Sequence, residues 1–167
     1  MMAELIAYFS RSGQNYVNGT IKALKIGNTE VVAKMIQRRT GAELFKLIPQ
    51  VSYSDDYNEC IEQAKDDQKR GARPELASYP DCFAQYDTIY LGYPNYWGTM
   101  PMCVFTFLEH FDFSGKTIRP FCTHEGSGLG NSIRDIKNTC PGAKVAGLAI
   151  FGAKADRAES EVARWLR

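Results

Sequence analysis

The chain has 167 residues, 44% of them hydrophobic, with 20 basic and 19 acidic side chains and a formal charge of +1. That length suits one domain over residues 1–167 with its own core, and that charge balance gives no electrostatic case for nucleic acid or an anionic membrane. No apolar stretch approaches the roughly 20 residues of a membrane span, and an N-terminus with Glu4 and no basic n-region makes a signal peptide unexpected and the cytoplasm the expected compartment.

In chain order, Glu4–Phe9 reads as a short apolar strand, followed at once by Ser10-Arg11-Ser12-Gly13. Gly27-Asn28-Thr29 then opens a helix over Thr29–Thr40, with Val32, Met35 and Ile36 at helical spacing. Between them, residues 14–27 carry Asn15, Tyr16, Asn18 and Gly19, then alternating Ile21, Leu24 and Ile26, a pattern that suits a small hairpin. Further strands are expected at Ala42–Ile48, Thr88–Tyr93, Thr117–Thr123 and Lys144–Phe151. In the third of these Pro120 removes a ladder donor and predicts a bulge.

Helices alternate with the strands. Tyr57–Arg70 is expected to bury Ile61 and Ala64, and a helix entered at Pro101 reaches about Phe111 with Val104, Phe107, Leu108 and Phe111 on one side. Ile133 and Ile136 mark a short helix ending before Pro141-Gly142, and Ala155–Leu166 closes the chain. Strand–helix alternation of this kind implies a parallel sheet with helices on both faces. Ligands in such sheets bind at the carboxyl ends of the strands, so the loops after the first, third and fourth strands are the ones to read.

The first loop joins a strand to a helix N-terminus, where free N–H groups and the helix dipole favour an anion. Ser10, Ser12 and Thr29 add hydroxyl donors and are placed like residues that hold a monophosphate. Neither the three-glycine dinucleotide fingerprint nor the glycine-rich loop ending in Lys-Ser/Thr is present, so a mononucleotide is expected. The same Ser, Gly and Asn residues would also serve as turn formers and helix caps.

In the second loop, Gly92–Pro101, aromatic Tyr93, Tyr96 and Trp97 are braced by Pro94 and Pro101, and their faces suit a flat heteroaromatic ring. Pro94 and Gly98 bracket Asn95-Tyr96-Trp97, whose amides could meet the polar edge of such a ring. The third loop, Thr123-His124-Glu125-Gly126-Ser127-Gly128-Leu129-Gly130, lets backbone approach a ligand closely. His124 and Glu125 could tune charge there; solvated loop positions are the plainer reading, above all for Glu125. His110, at a helix end, reads as a surface or capping residue.

Cys60, Cys82, Cys103, Cys122 and Cys140 are odd in number, widely spaced and without a Cys-x-x-Cys pair, which argues against a disulfide framework or a zinc site. Most are expected to be buried small apolar residues. With His110 and His124 the only histidines, a histidine-rich metal site is not expected.

Taken together these residues resemble a short-chain flavodoxin-like protein. Tyr8–Gly13 resembles the first half of the flavodoxin phosphate-loop signature, and Gly27-Asn28-Thr29, with Ala33 and Ile36 behind it, the second half. Gly92–Met102 and Thr123–Gly130 are similar to the two ring-binding loops of a bacterial flavodoxin subgroup, and the likeness runs from Glu4 to Leu166.

The resemblance implies a three-layer α/β fold, a five-stranded parallel sheet of order 2-1-3-4-5, and FMN as cofactor. It implies that Ser10, Ser12, Asn28 and Thr29, with Arg11 and the insert's Asn15 nearby, hold the phosphate. Pro94, Asn95, Tyr96 and Trp97 would then line one side of the isoalloxazine, and Thr123, His124, Glu125, Gly126, Ser127 and Gly128 the other. The insert and the near-neutral charge depart from typical flavodoxins, which are acidic and use that charge to meet basic partners.

The expected function is electron transfer on FMN, either to a redox partner protein or, with NAD(P)H as a candidate donor, to a small acceptor such as a quinone. The alternative is a module that senses flavin or redox state without turnover. A hydrolase built on Ser127 and His124 ranks low, because Ser127 lacks the Gly-x-Ser-x-Gly elbow and no third triad member is evident. A homodimer is a further candidate, since aromatic loops at a site mouth can pack across subunits.

Overall fold

The computed structural model describes residues 3–167. Its centre is a six-stranded sheet of order β4-β1-β5-β6-β7, with β8 also beside β6. The strands are β1 (Ala3–Tyr8), β4 (Glu43–Lys46), β5 (Tyr86–Pro94), β6 (Thr117–His124), β7 (Lys144–Val145) and β8 (Leu148–Phe151). Every pairing among them is parallel. The expected 2-1-3-4-5 counted five strands; here the insert's strands, β2 (Gly13–Val17) and β3 (Thr20–Leu24), form a separate sheet, and the last expected strand is split in two.

Period-two alternation along β5 sends Ile89, Leu91 and Tyr93 to one face and Tyr90 to the other. The first face is covered by α3 (Met102–His110) and α4 (Ser132–Thr139) through Val104, Phe107, Leu108 and Ile136. The second is covered by α1 (Asn28–Thr40) and α5 (Glu159–Leu166) through Val32, Ala33, Ile36 and Val162. This is the three-layer arrangement that alternation requires. The helix α2 (Tyr57–Arg70) packs between α3 and the hairpin strand β2.

Three expectations are corrected. β6 runs past Pro120 without the predicted bulge, and its register with β5 is unbroken. Ile118 C=O accepts from Ala146 N on the β7 side, so two residues on the proline's nitrogen faces that same side. There the neighbouring strand is interrupted between Val145 and Leu148, so the missing donor costs no ladder bond. The closing helix starts later than Ala155, at Glu159, because Gly152–Arg157 first forms a 3-10 turn. In α2 it is Cys60 that is buried with Ala64, while Ile61 is half-buried.

The insert is a hairpin, as its alternation predicted. Val17 pairs Thr20 across the two-residue turn Asn18-Gly19, both at positive φ (51° and 86°), as a type I′ turn demands. Cys60, Cys103, Cys122 and Cys140 are buried and Cys82 is exposed. Exposed His110 stacks on Tyr79, ring centroids 3.7 Å apart. Among the described residues no helix is long and apolar enough to cross a membrane, and no group of three or more His, Cys, Asp or Glu could hold a metal ion.

Candidate functional site

β1 ends at Tyr8, and the chain turns through Phe9–Ser12 into the hairpin before returning at Gly27 to start α1. The return passes close to the departure. A Cβ on Gly27 would lie 2.2 Å from Ser10 Oγ and 2.5 Å from Arg11 O, so only glycine fits. Ser10 Oγ accepts from Glu30 N at 3.1 Å, capping the first turn of α1. The foremost N–H groups of a helix have no intrahelical partner, and here they belong to Asn28 and Thr29. Arg11 is held by its own donors, Nε to Gln14 O and Nη2 to Asp55 O. Asn15 Nδ2 donates to Arg11 O at 2.8 Å, so hairpin and loop form one unit.

The second and third loops are stitched to each other. Asn95 N donates to Thr123 O, Asn95 Nδ2 donates to Gly128 O, and Asn95 Oδ1 accepts from Gly98 N. Tyr96 lies edge-on to Phe9, ring centroids 5.8 Å apart. Its hydroxyl is buried without a hydrogen-bond partner among the described residues, and burial pushes its pKa well above the ordinary tyrosine value. Trp97 is 45% exposed, so one indole face remains available to a ligand even though Nε1 donates to Ile61 O on α2 and Lys65 Nζ lies 4.8 Å from the ring centroid.

In the third loop His124 Nδ1 accepts from Gly126 N at 2.9 Å. Burial, partly opposed by Glu125, lowers the His124 pKa, so the ring favours the neutral form that this bond requires. Glu125 Oε2 accepts from Asn18 N at the hairpin turn, while Oε1 is buried with no partner among the described residues.

These loops enclose a cavity of about 440 Å³. Arg11, Asn15, Asn28, Thr29, Pro94, Asn95, Tyr96, Trp97, Thr123, His124, Glu125 and Ser127 all line it, so most of the residues named from sequence come together. Ser10, Ser12, Gly126 and Gly128 do not line it: Ser10 Oγ accepts the helix-capping bond from Glu30 N, Ser12 and Gly126 are exposed, and Gly128 lends its carbonyl to Asn95. The Thr29 hydroxyl hydrogen-bonds that of Thr123, a bond that uses one of their two O–H protons, and the Thr29 backbone N–H at the start of α1 is a further donor at the cavity.

Sequence reasoning missed the opposite wall. Tyr57, Cys60, Ile61 and Ala64 of α2, with Tyr16 of the hairpin, close the cavity from that side. Tyr16 and Tyr57 stack, ring centroids 6.1 Å apart, across the hairpin–α2 contact. The available signal was the apolar stripe of α2 beginning with an aromatic residue, a stripe that reads equally well as core.

A doubly wound parallel sheet whose strand-end loops and a helix N-terminus surround one cavity defines the α/β class that holds its ligand at the carboxyl edge of the sheet. A family model described as flavodoxin matches residues 3–167, and the chain belongs to that family. It is similar to a provisionally assigned flavoprotein of Bacteroides eggerthii, 27% identical, over 98% of this chain and 95% of that one, with a TM-score of 0.79. A second provisionally assigned flavoprotein, from Bacteroides uniformis, is 28% identical over 99% and 97%, TM-score 0.77. The fold is also that of a flavoprotein of Lactobacillus acidophilus in complex with FMN, 21% identical over the whole of both chains, TM-score 0.70. No curated protein matches the sequence.

FMN is the cofactor, and the residues present fit it. The α1 N-terminus with Arg11 and Asn28 supplies donors for a phosphate, while Asn15 spends its amide donors on Arg11 O and Gly13 O and so shapes the loop. The orphaned Glu125 Oε1 is an acceptor for a ligand hydroxyl, such as those of a ribityl chain. Tyr57, Tyr96 and Trp97 supply aromatic surface for a flat ring.

Proposed function

We propose that the protein is an FMN-dependent redox protein that takes electrons from NAD(P)H and passes them to a small acceptor such as a quinone. FMN, when bound, supplies one- and two-electron redox chemistry. The protein's part is to hold the phosphate at the α1 N-terminus, to sandwich the ring between the Asn95–Trp97 and Thr123–Ser127 segments, and to exclude water with the α2 wall. The carrying observation is the convergence of the three strand-end loops on a single cavity whose far side, Tyr57, Ile61 and Ala64, is mostly apolar. A small planar acceptor suits such a wall better than a protein docking face does. The formal charge of +1 supports the same reading, because long-range steering of a basic partner needs a strongly acidic surface.

The test is anaerobic mixing of FMN-loaded protein with NADH or NADPH while the flavin absorbance near 450 nm is followed (about 450 nm being the oxidised-flavin band). Bleaching, with recovery on adding a quinone, is the expected result. A flavin that stays oxidised with both donors contradicts the reductase reading.

A further inference from the structure

A second groove, of about 350 Å³, lies across the hairpin from the first cavity and is lined by Val17, Asn18, Lys22, Phe151, Lys154 and Arg157, with Ala153. It gathers three cations from two separate elements, Lys22 on β3 and Lys154 and Arg157 on the 3-10 turn. Among the described residues Arg157 pairs only with Asp156, at 3.8 Å and largely exposed, and Lys22 and Lys154 form no ion pair. Phe151, 39% exposed, provides an aromatic face in the same groove. Uncompensated cations around an aromatic ring match a ligand that is polyanionic and carries a flat base.

The wall between groove and cavity is thin. His124 lines the cavity and Phe151 the groove, and their rings are 5.3 Å apart between centroids. Gly152 lines the cavity while its two chain neighbours line the groove. Asn18, in the groove, donates its N–H to Glu125 of the cavity. A ligand with its anionic end in the groove would therefore reach the cavity mouth with its other end.

We propose that the Lys22–Lys154–Arg157 groove binds the adenosine 2′-phosphate end of NADPH, making NADPH rather than NADH the electron donor; this rests on the reductase reading above. The 2′-phosphate and diphosphate meet the three cations, the adenine lies against Phe151, and the nicotinamide end reaches the cavity. NADH, lacking the 2′-phosphate, leaves part of the cationic cluster unanswered.

Calorimetry with 2′,5′-ADP, 5′-AMP and inorganic phosphate tests the groove on its own, in both apo and FMN-loaded protein. Saturable one-to-one binding of 2′,5′-ADP is expected, with 5′-AMP weaker by about tenfold or more. A Lys154→Glu, Arg157→Glu double variant should lose about the same factor for 2′,5′-ADP while keeping wild-type FMN affinity. If that variant does not fold, Lys22→Ala on the exposed hairpin carries the same expectation in a smaller degree. Absence of 2′,5′-ADP binding, unchanged binding in the variants, or phosphate binding as tightly as 2′,5′-ADP (an unspecific anion site only) each overturns the proposal. Failure of the reductase reading shows up in the anaerobic NADH and NADPH assay above, and failure of the groove in the 2′,5′-ADP titration.

Discussion

The hydroxyls of Thr29 and Thr123 lie 2.8 Å apart in a buried hydrogen bond between residues 94 apart in sequence. One stands at the first turn of α1 and the other near the end of β6, so this single bond ties the first strand-end loop to the third. The two residues are 2% and 4% exposed, which makes each hydroxyl dependent on the other.

Replacing either threonine by valine takes from the remaining buried hydroxyl its only partner among the described residues. Thr29→Val or Thr123→Val should each cost about 1–3 kcal/mol of stability in the apo protein. The double variant should lose less than the sum, because no unpaired group is left. Urea denaturation of the four proteins checks this. Fully additive losses would show that the two hydroxyls do not depend on each other.

Ser12 is different, exposed on the loop and with its hydroxyl in no hydrogen bond among the described residues. It does not line the cavity itself but follows Arg11, which does, and its free hydroxyl is the one it would offer to a phosphate there. Ser12→Ala should weaken FMN by about 1.5–3 kcal/mol, the worth of a hydrogen bond to a charged group, and leave riboflavin affinity unchanged. Parallel titrations with the two flavins decide it. Equal losses for both would remove Ser12 from the phosphate site.

Trp97, anchored through Nε1 to Ile61 O, offers its indole as a wall for the ring. An apolar π-face beside the flavin disfavours the electron-rich, anionic reduced form. Trp97→Ala should therefore weaken oxidised FMN, relieve quenching of its fluorescence and move the midpoint potential upward. A variant that folds and matches wild type in all of these properties would confine Trp97 to packing against α2.

His124 gives the site a pH dependence with a definite sign. Its folded pKa is lowered from 6.5, first by burial, with Glu125 acting in the opposite direction. The stabilisation is therefore complete above the unfolded value of 6.5 and is lost as pH falls through the lower folded value. Protonation at Nδ1 also removes the acceptor for Gly126 N and loosens the third loop. FMN affinity measured from neutral to mildly acidic pH should fall in the wild type and vary less in His124→Gln. An identical profile in both proteins would show that His124 is not the titrating group.

The alternation of apolar strands and amphipathic helices was legible because burial on both faces forces it, and Asn18-Gly19 announced the hairpin through the φ values that turn needs. What the sequence left hidden depends on distant partners. The hydrogen bond between the Thr29 and Thr123 hydroxyls, made across 94 residues, has no local signal in the sequence. The α2 stripe reads as core until the cavity is seen on its Tyr57–Ala64 side. The late start of α5 was hidden as well, because the 3-10 turn over Gly152–Arg157 that precedes it carries no distinct sequence signal. For Pro120, the sequence showed the missing donor but not the gap in the neighbouring strand that absorbs it.

The central claim, that the three loops form a site for one flavin mononucleotide, is tested most directly by calorimetric titration of the apo protein with FMN and with FAD. The account predicts one-to-one binding of FMN and weaker binding of FAD, because the helix N-terminus receives a single terminal phosphate and the three-glycine dinucleotide fingerprint is absent from the sequence. FAD binding as tightly as FMN, or no FMN binding by folded protein, would contradict it.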